Sequence, residues 1–470
     1  MALHRRDFLV LSGAGGVGLL LGCRLGCNKT PEKLGAPPEI SDDSQKWFNA
    51  WVAIGADDRV YLRIHEAEMG QGILTGLAMA LAEELDVEWS SVQAEHAPAD
   101  SARYGRQSTG GSTSTRDNHA MLRKMGAAAR HMLVQAAAQA WGVPAVECTT
   151  TPGQVRHAAS ARQTRYGALV NEAAKLPVPE APKLKAAADF QLLGSSPPRL
   201  DIPTKVTGET QYGIDVRRPN MLFGVVARAP HFGATVKSFD DAPARQVLGV
   251  QDVLQIPSGV LVLADHTWAA LRGREALKVQ WNASEHAELN DQSIREQLVR
   301  AIPKGRAARD DGDVKTVLHK AQQRIEAVYE VPYLAHACLE PVNCTAEVTT
   351  DGCEVWVGTQ SPTATQQTAA EICGIPTERV KVHSMMLGGG FGRRSHTDFV
   401  SDAVFAAKAA RRPVQVLWTR EDDTRGGHYR PVGYNTLSGA LDAEGWFPRL
   451  GAFVLPNRHP RPKRQAARGH

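Results

Sequence analysis

MMLGGGFGRRSHTDF, residues 385–399, decides how this chain is read. Three consecutive glycines close an apolar, β-rich run, followed by Phe391, a fourth glycine and the pair Arg393 and Arg394. A backbone stripped of side chains in this way either turns sharply or lets another group come very close. Residues 380–386 read as a strand, 397–410 as a helix and 414–419 as a second strand. The glycines therefore sit at the first turn of a βαβ unit. Amides at such a turn point at anions, and the helix dipole assists.

A dinucleotide fingerprint is the first candidate. G-x-G-x-x-G starting at Gly388 needs a glycine at position 393, where Arg393 stands. Glu421 and Asp422 also lie well beyond the usual spacing of about 20 residues. The nicotinamide reading is set aside. A tight structural turn remains the alternative, although four glycines exceed what a turn needs.

Two further loops carry similar chemistry. In EMGQG (68–72), Gly70 and Gly72 flank Gln71 just before Ile73, Leu74, Leu77, Leu81 and Leu85, which recur at helical spacing. The Gln71 amide can donate to an oxo group or phosphate while adjacent N–H groups complete a cradle; a capping turn is the bland reading. In TGGSTST (109–115), Thr109, Gly110, Gly111, Ser112, Thr113 and Ser114 precede a long Ala-rich helix ending near Trp141. These hydroxyls suit a pyrophosphate or ribose, or merely a solvated loop. His336 and Glu340 in YLAHACLEP are four residues apart, but Pro332 and Pro341 bracket them and no third ligand follows. They read as buried polar groups rather than a zinc pair.

With 470 residues, 43% hydrophobic and 22% charged, the chain can bury a large core over two or three domains. The net charge of +4 comes from the tail, where Arg458, Arg461, Lys463, Arg464 and Arg468 stand with no acid. The body is near neutral, which excludes a basic nucleic-acid binder. At the other end, Arg5 and Arg6, then Phe8 and Leu9, then a glycine-rich apolar run to Gly22 form a twin-arginine export signal, residues 1–27. The run is too short for a membrane span, which needs about 20 apolar residues. Leu20-Leu21-Gly22-Cys23 resembles a lipoprotein processing site with Cys23 as lipid anchor; ordinary cleavage nearby is the alternative. The expected location is the periplasm, with or without that anchor. The remaining cysteines, Cys148, Cys338, Cys344, Cys353 and Cys373, show no CxxC spacing, so this chain carries no iron–sulfur cluster, although a disulfide or two is compatible with export.

The expected organisation is a linker at 28–45, a first segment at 46–180 carrying EMGQG and TGGSTS, a separate α+β module at 199–300, a second segment at 325–450 carrying GGGFG, and a basic disordered tail at 456–470. LPVPEAPKLK (176–185) reads as a linker.

Together and in this order, the motifs resemble one family. EMGQG, AEELDVEWSSV (82–92), TGGSTS, RLDIPTKVTGETQYGIDV (199–216), AHACLEP (335–341), GTQSP (358–362), GGGFGRR with Asp398, and PVQVLWTREDD (413–423) are similar to the molybdopterin-binding large subunit of the xanthine dehydrogenase/aldehyde oxidase family. Within it, the likeness is to the exported branch of isoquinoline 1-oxidoreductase β subunits and periplasmic aldehyde dehydrogenases. The resemblance implies an α+β, multi-domain molybdopterin-binding subunit with an inserted α/β hammerhead domain at 199–300. It implies a molybdenum held through a pterin dithiolene, as the molybdopterin cytosine dinucleotide. N-heteroaromatics or aldehydes would be oxidised with water as oxygen source, and electrons would leave through [2Fe-2S] clusters on a small partner subunit. By the same resemblance Gly70, Gln71 and Gly72 contact the pterin, Thr109 to Ser114 line the dinucleotide, and Gly388, Gly389, Gly390, Phe391 and Gly392 stand beside the metal, where the Phe391 amide reaches an oxo ligand.

Two departures accompany it. The family's oxo-bonding glutamine falls on Leu334 here, and the G-V-G-E glutamate that serves as catalytic base is absent. The chain is accordingly expected to be a truncated large subunit, inactive alone, with no catalytic residue of its own. The alternative is a non-catalytic remnant that binds the partner subunit without cofactor.

Overall fold

In the computed structural model the described residues are 45–445, apart from 308, 310 and 443. The signal, Cys23, the linker through residue 44 and the basic tail lie outside them.

Three strands open the fold: Gln45–Trp47 (β1), Val52–Gly55 (β2) and Val60–Ile64 (β3). The β2–β3 turn places Asp58 at φ 68, a left-handed conformation that Asp tolerates. The helix Ile73–Leu85 (α1) then crosses to Val92–His96 (β4), which pairs parallel with β3. EMGQG is thus the first turn of a genuine βαβ unit. Leu77, Leu81 and Leu85 are fully buried, each contributing about 1.5–3 kcal/mol by transfer. They pack against the long helix Ser114–Trp141 (α2), as the helical spacing predicts. Gly126 sets the contact, since a Cβ there would stand 2.3 Å from the Leu81 carbonyl oxygen. Cys148–Thr151 (β5), Gln154–His157 (β6) and Arg162–Arg165 (β7) form a small antiparallel sheet. The 176–185 stretch is more than a tether, because Lys185 Nζ lies 3.0 Å from both Glu83 and Asp86 at the end of α1.

The next region holds Leu222–Ala227 (β8), Val236–Asp240 (β9), Val250–Ile256 (β10), Gly259–Ala264 (β11), helix Thr267–Ala276 (α3) and Lys278–Trp281 (β12). An exposed helix, Asp291–Ala301 (α4), follows. Then come Gln323–Val331 (β13), Asn343–Val348 (β14), Cys353–Val357 (β15), helix Pro362–Cys373 (α5), Val380–Ser384 (β16), helix Asp398–Ala410 (α6), Val414–Leu417 (β17), helix Arg420–Gly426 (α7) and Gly433–Leu441 (β18). β13 and β18 pair into a ribbon in which β13 is mostly exposed and β18 mostly half-buried.

One seven-stranded sheet runs β10-β11-β8-β17-β14-β15-β16. This differs from the separate module expected at 199–300: three of its strands share a sheet with the later segment, through the parallel pair β8–β17. Gly224 permits that seam, since a Cβ would come within 2.9 Å of Leu261 and 3.2 Å of Val416. Asp402 on α6 seals it by accepting from Arg228 (2.5 Å), Ser258 (2.5 Å) and the Trp418 indole (2.9 Å). A second difference concerns β16 and β17. They run parallel, but β15 and β14 lie between them, so the expected βαβ unit is a split one. The glycine run still connects β16 to α6, with Gly390 lying against Met69 of the first segment.

Candidate functional site

Each glycine loop is organised by a buried carboxylate or amide. At GGGFG the Gly388 amide donates to Glu340 Oε2 (2.9 Å) and the Glu340 amide donates back to the Gly388 carbonyl (3.0 Å). A Cβ at Gly388 would be 2.4 Å from that of Glu340, so only glycine fits. Arg394, fully buried, binds Glu340 Oε2 (2.9 Å) and the carbonyls of Glu340 (2.8 Å), Gly389 (2.9 Å) and Gly358 (3.2 Å). Its neighbour Arg393 is clamped between Asp398 (2.9 and 3.0 Å) and Asp423 (2.7 Å). The Gly392 amide donates to Gln360 Oε1 at 3.0 Å. Gly389, Phe391 and Gly392 all have positive φ (90°, 53° and 101°), and the Phe391 side chain is 64% exposed. The amides of Gly389, Gly390 and Phe391 make no hydrogen bond within the described residues.

At EMGQG the helix N-terminus is filled from within. Glu68, fully buried, accepts from the amides of Gly70 (2.8 Å), Gly72 (3.0 Å) and Leu74 (2.9 Å) and from Arg199 (3.2 Å). The cradle expected for an exogenous anion holds the protein's own carboxylate, which satisfies the Gly72 amide at the N-cap of α1 and the Leu74 amide in its first turn. Gln71 is likewise engaged inside the loop, accepting from the Met69 amide (2.7 Å) and donating to the Ala67 carbonyl (2.9 Å).

TGGSTS follows the same plan. Glu66 Oε2 accepts from Thr109 Oγ1 and Ser114 Oγ, each at 2.7 Å, and Glu66 Oε1 accepts from Asn118 (3.1 Å). Two of the hydroxyls read as ligand donors are thereby occupied, while Gly110, Gly111 and Ser112 are exposed.

The three loops meet. The Thr109 amide donates to the Gln360 carbonyl (2.7 Å), and the Gln360 side chain donates to the Thr109 carbonyl (2.9 Å) while holding Gly392. Met69 touches Gly390, where a Cβ would stand 2.8 Å from its sulfur and 2.6 Å from Gln360 Oε1. His96 links the first loop to β16: its Nε2 accepts from the Glu68 amide and its Nδ1 donates to the Ser384 carbonyl, both at 3.0 Å. These partners fix the neutral tautomer, and burial holds the ring's pKa below the ordinary histidine value.

Sequence reasoning located the loops but missed Glu66, Glu68, His96 and Gln360. The alternation His65, Glu66, Glu68 just before the glycines was the available signal, since a carboxylate there caps the coming helix. Residues 335–341 are not helical; Glu340 serves the glycine loop, and His336 lies beside Gly392 with Nδ1 unpaired. Leu334 is half exposed and pairs with Arg430. Among the described residues no group of three or more His, Cys, Asp or Glu is arranged to hold a metal, and no helix is long and apolar enough to cross a membrane.

Two sequence families, each described as a molybdopterin cofactor-binding domain, match residues 21–215 and 299–454. The isoquinoline 1-oxidoreductase β subunit of Brevundimonas diminuta is 33% identical over 91% of this chain and 61% of its own length. A membrane-bound aldehyde dehydrogenase (pyrroloquinoline-quinone) of Gluconacetobacter polyoxogenes is 31% identical over 84% of this chain and 53% of its own. A nicotinate dehydrogenase subunit from Pseudomonas putida is 32% identical over 88% of this chain and 35% of its own. The chain therefore spans only part of the length of these relatives. The crystal structure of quinoline 2-oxidoreductase from Pseudomonas putida 86 aligns with a TM-score of 0.42 at 19% identity, covering 52% of this chain and 37% of that one. The chain thus carries two molybdopterin cofactor-binding domains, and over nine-tenths of its residues it is similar to the β subunit of isoquinoline 1-oxidoreductase.

Proposed function

We propose that this chain holds the molybdopterin cytosine dinucleotide of an exported hydroxylase, which oxidises N-heteroaromatics or aldehydes with water as oxygen source and passes electrons to a small [2Fe-2S] subunit. The observation that carries this reading is the junction of three glycine loops at Gln360, beside the unspent amides of Gly389, Gly390 and Phe391. Fixed backbone N–H groups are suitable donors to an oxo-metal group, because they need no reorganisation to stabilise charge. The donor set fits a cofactor there. It fits less at EMGQG, where Glu68 already takes the amides; we assign Gly70 and Gly72 to shaping the turn, and the exposed face of Gln71 to pterin contact. Gly110, with open space where a Cβ would stand, leaves room for the dinucleotide.

When bound, the cofactor supplies the electron sink and the oxygen-transfer chemistry. The chain's own residues orient it: Glu340 and Arg394 fix the glycine run, and Gln360 sets its distance from Thr109. The general base is left unassigned. The Arg5–Arg6 signal supports export, with Cys23 as the candidate lipid anchor.

The test is the molybdenum and pterin-nucleotide content of the chain purified after co-expression with a [2Fe-2S] partner. Near-stoichiometric molybdenum is expected. A chain folded by circular dichroism yet free of molybdenum would overturn the reading and favour a remnant that binds the partner alone.

A further inference from the structure

Away from the glycine loops, two cysteines meet at one corner of the seven-stranded sheet. Cys353 opens β15 and pairs in register with Val380, the first residue of β16. Cys373 ends α5, and residues 374–379 return the chain directly to that same Val380. Both cysteines are therefore brought to one end of the sheet by the connection itself. The corner is tightly drawn. Gly374 (φ 73) and Ile375 both donate to the Ala370 carbonyl, closing the helix, and the Gln366 side chain donates to the carbonyls of Thr377 (3.2 Å) and Val380 (3.0 Å). A Cβ at Gly352 would stand 2.5 Å from the Arg379 carbonyl, so the start of β15 lies against the start of β16. Cys373 packs on the apolar cluster that contains Cys353.

We infer that Cys353 and Cys373 are a redox pair that closes into a disulfide, stapling the C-terminal end of α5 to β15. The two differ in a way that suits the exchange. Cys353 is 1% exposed, whereas Cys373 is partly exposed. The neighbouring Cys353 thiol, helped by Lys408, lowers Cys373 to about 7, while Cys373 and burial push Cys353 up. Cys373 is the attacking thiolate. With a low-molecular-weight disulfide such as oxidised glutathione as oxidant, its sulfur attacks one glutathione sulfur, the S–S bond breaks and one glutathione leaves as thiol. Cys353, losing its proton to the second leaving thiolate, then attacks Cys373 Sγ and releases the second glutathione. Two thiols are oxidised by two electrons, and one disulfide is reduced to two thiols. The staple bears on the cofactor region only mechanically, since α5 begins just after Gln360 and Ser361.

The experiment uses the whole chain, incubated with oxidised glutathione, quenched with iodoacetamide and cleaved after glutamate. Such cleavage separates the pair from the other described thiols of this region: 331–347 carries Cys338 and Cys344, 348–354 Cys353 and 372–378 Cys373. The expected result is peptides 348–354 and 372–378 joined with loss of two hydrogens, separated by reductant, and an upward Tm shift that reductant reverses. Before oxidation, Cys373 should alkylate about tenfold faster than the other described cysteines. In Cys353→Ser the glutathione adduct should persist on 372–378. Linkage of 372–378 to 331–347, or a persistent glutathione adduct on 372–378 in the unmutated chain, would overturn the inference. Because the mapping is done on the unmutated chain, it stands even if the variant fails to fold.

Discussion

Thr109 and Gln360 hold each other by two reciprocal hydrogen bonds, amide to carbonyl at 2.7 Å and side chain to carbonyl at 2.9 Å. Gln360 also accepts from Gly392, so a single side chain sets the spacing of two glycine loops. Gln360→Leu keeps the volume but leaves the Thr109 carbonyl and the Gly392 amide without partners. Each orphaned buried group costs about 1–3 kcal/mol. Urea unfolding should therefore show a lower midpoint with an unchanged slope. A change within about 0.5 kcal/mol, the range of a neutral surface substitution, would mean that the junction is not needed.

Glu68 answers to the same reasoning with a charge. Its carboxylate gathers three amides and Arg199 at the head of α1. Glu68→Ala leaves three backbone donors without their acceptor, the buried Leu74 amide among them, while Arg199 keeps Asp201, and should cost at least about 1–3 kcal/mol. Glu68→Gln retains one acceptor oxygen and should lose markedly less. Denaturant titration of the two variants checks the order. Equal losses would show that packing rather than acceptor capacity matters at this site.

These partners explain what the sequence could and could not reveal. α1 was legible because Leu77, Leu81 and Leu85 repeat at the helical period, and the loops were legible because glycine runs are conspicuous. Gln360 reaches Thr109 across 251 residues, and such a side-chain bond leaves no periodic trace. The seam between β8 and β17 was hidden for a related reason. LFGVVA is apolar on both faces and VQVL carries one polar residue, Gln415, which is buried too, so composition does not say whose sheet they join. Glu340 was legible as a buried polar group, whereas Glu66 and Glu68 meet their partners, the Thr109 and Ser114 hydroxyls and the Gly70, Gly72 and Leu74 amides, only in the fold.

His96 gives a pH dependence with a definite sign. Its folded pKa lies below the ordinary 6.5, chiefly through burial, so the unfolded chain binds the proton more readily. The stability it contributes is complete above pH of about 6.5 and declines as pH falls toward the folded value, by at most about 1.4 kcal/mol per pH unit. Unfolding measured between pH of about 6.5 and 5 should therefore slope downward toward acid. His96→Gln should flatten that slope while lowering the neutral-pH stability through altered bonding to Glu68 and Ser384. An unchanged slope in the variant would assign the pH dependence to other groups.

Phe391 is held at φ 53 with its ring 64% exposed, lying over Gly389, where a Cβ would come within 3.0 Å of it. A side chain in the left-handed region costs about 1–2 kcal/mol, and an exposed ring recovers little of that by burial. Phe391→Gly should therefore leave stability unchanged or raise it by about 1 kcal/mol, whereas Phe391→Ala keeps the backbone strain and loses the ring. If the strained turn is retained to wall a cofactor and aim the Phe391 amide, both variants should purify with less molybdenum than the parent chain, although one of them is the more stable protein. Thermal unfolding and metal content measured on the same preparations separate the two effects. A Phe391→Gly variant that is clearly destabilised yet retains full molybdenum would make the ring a structural cover for the glycine run and remove it from the cofactor's surroundings.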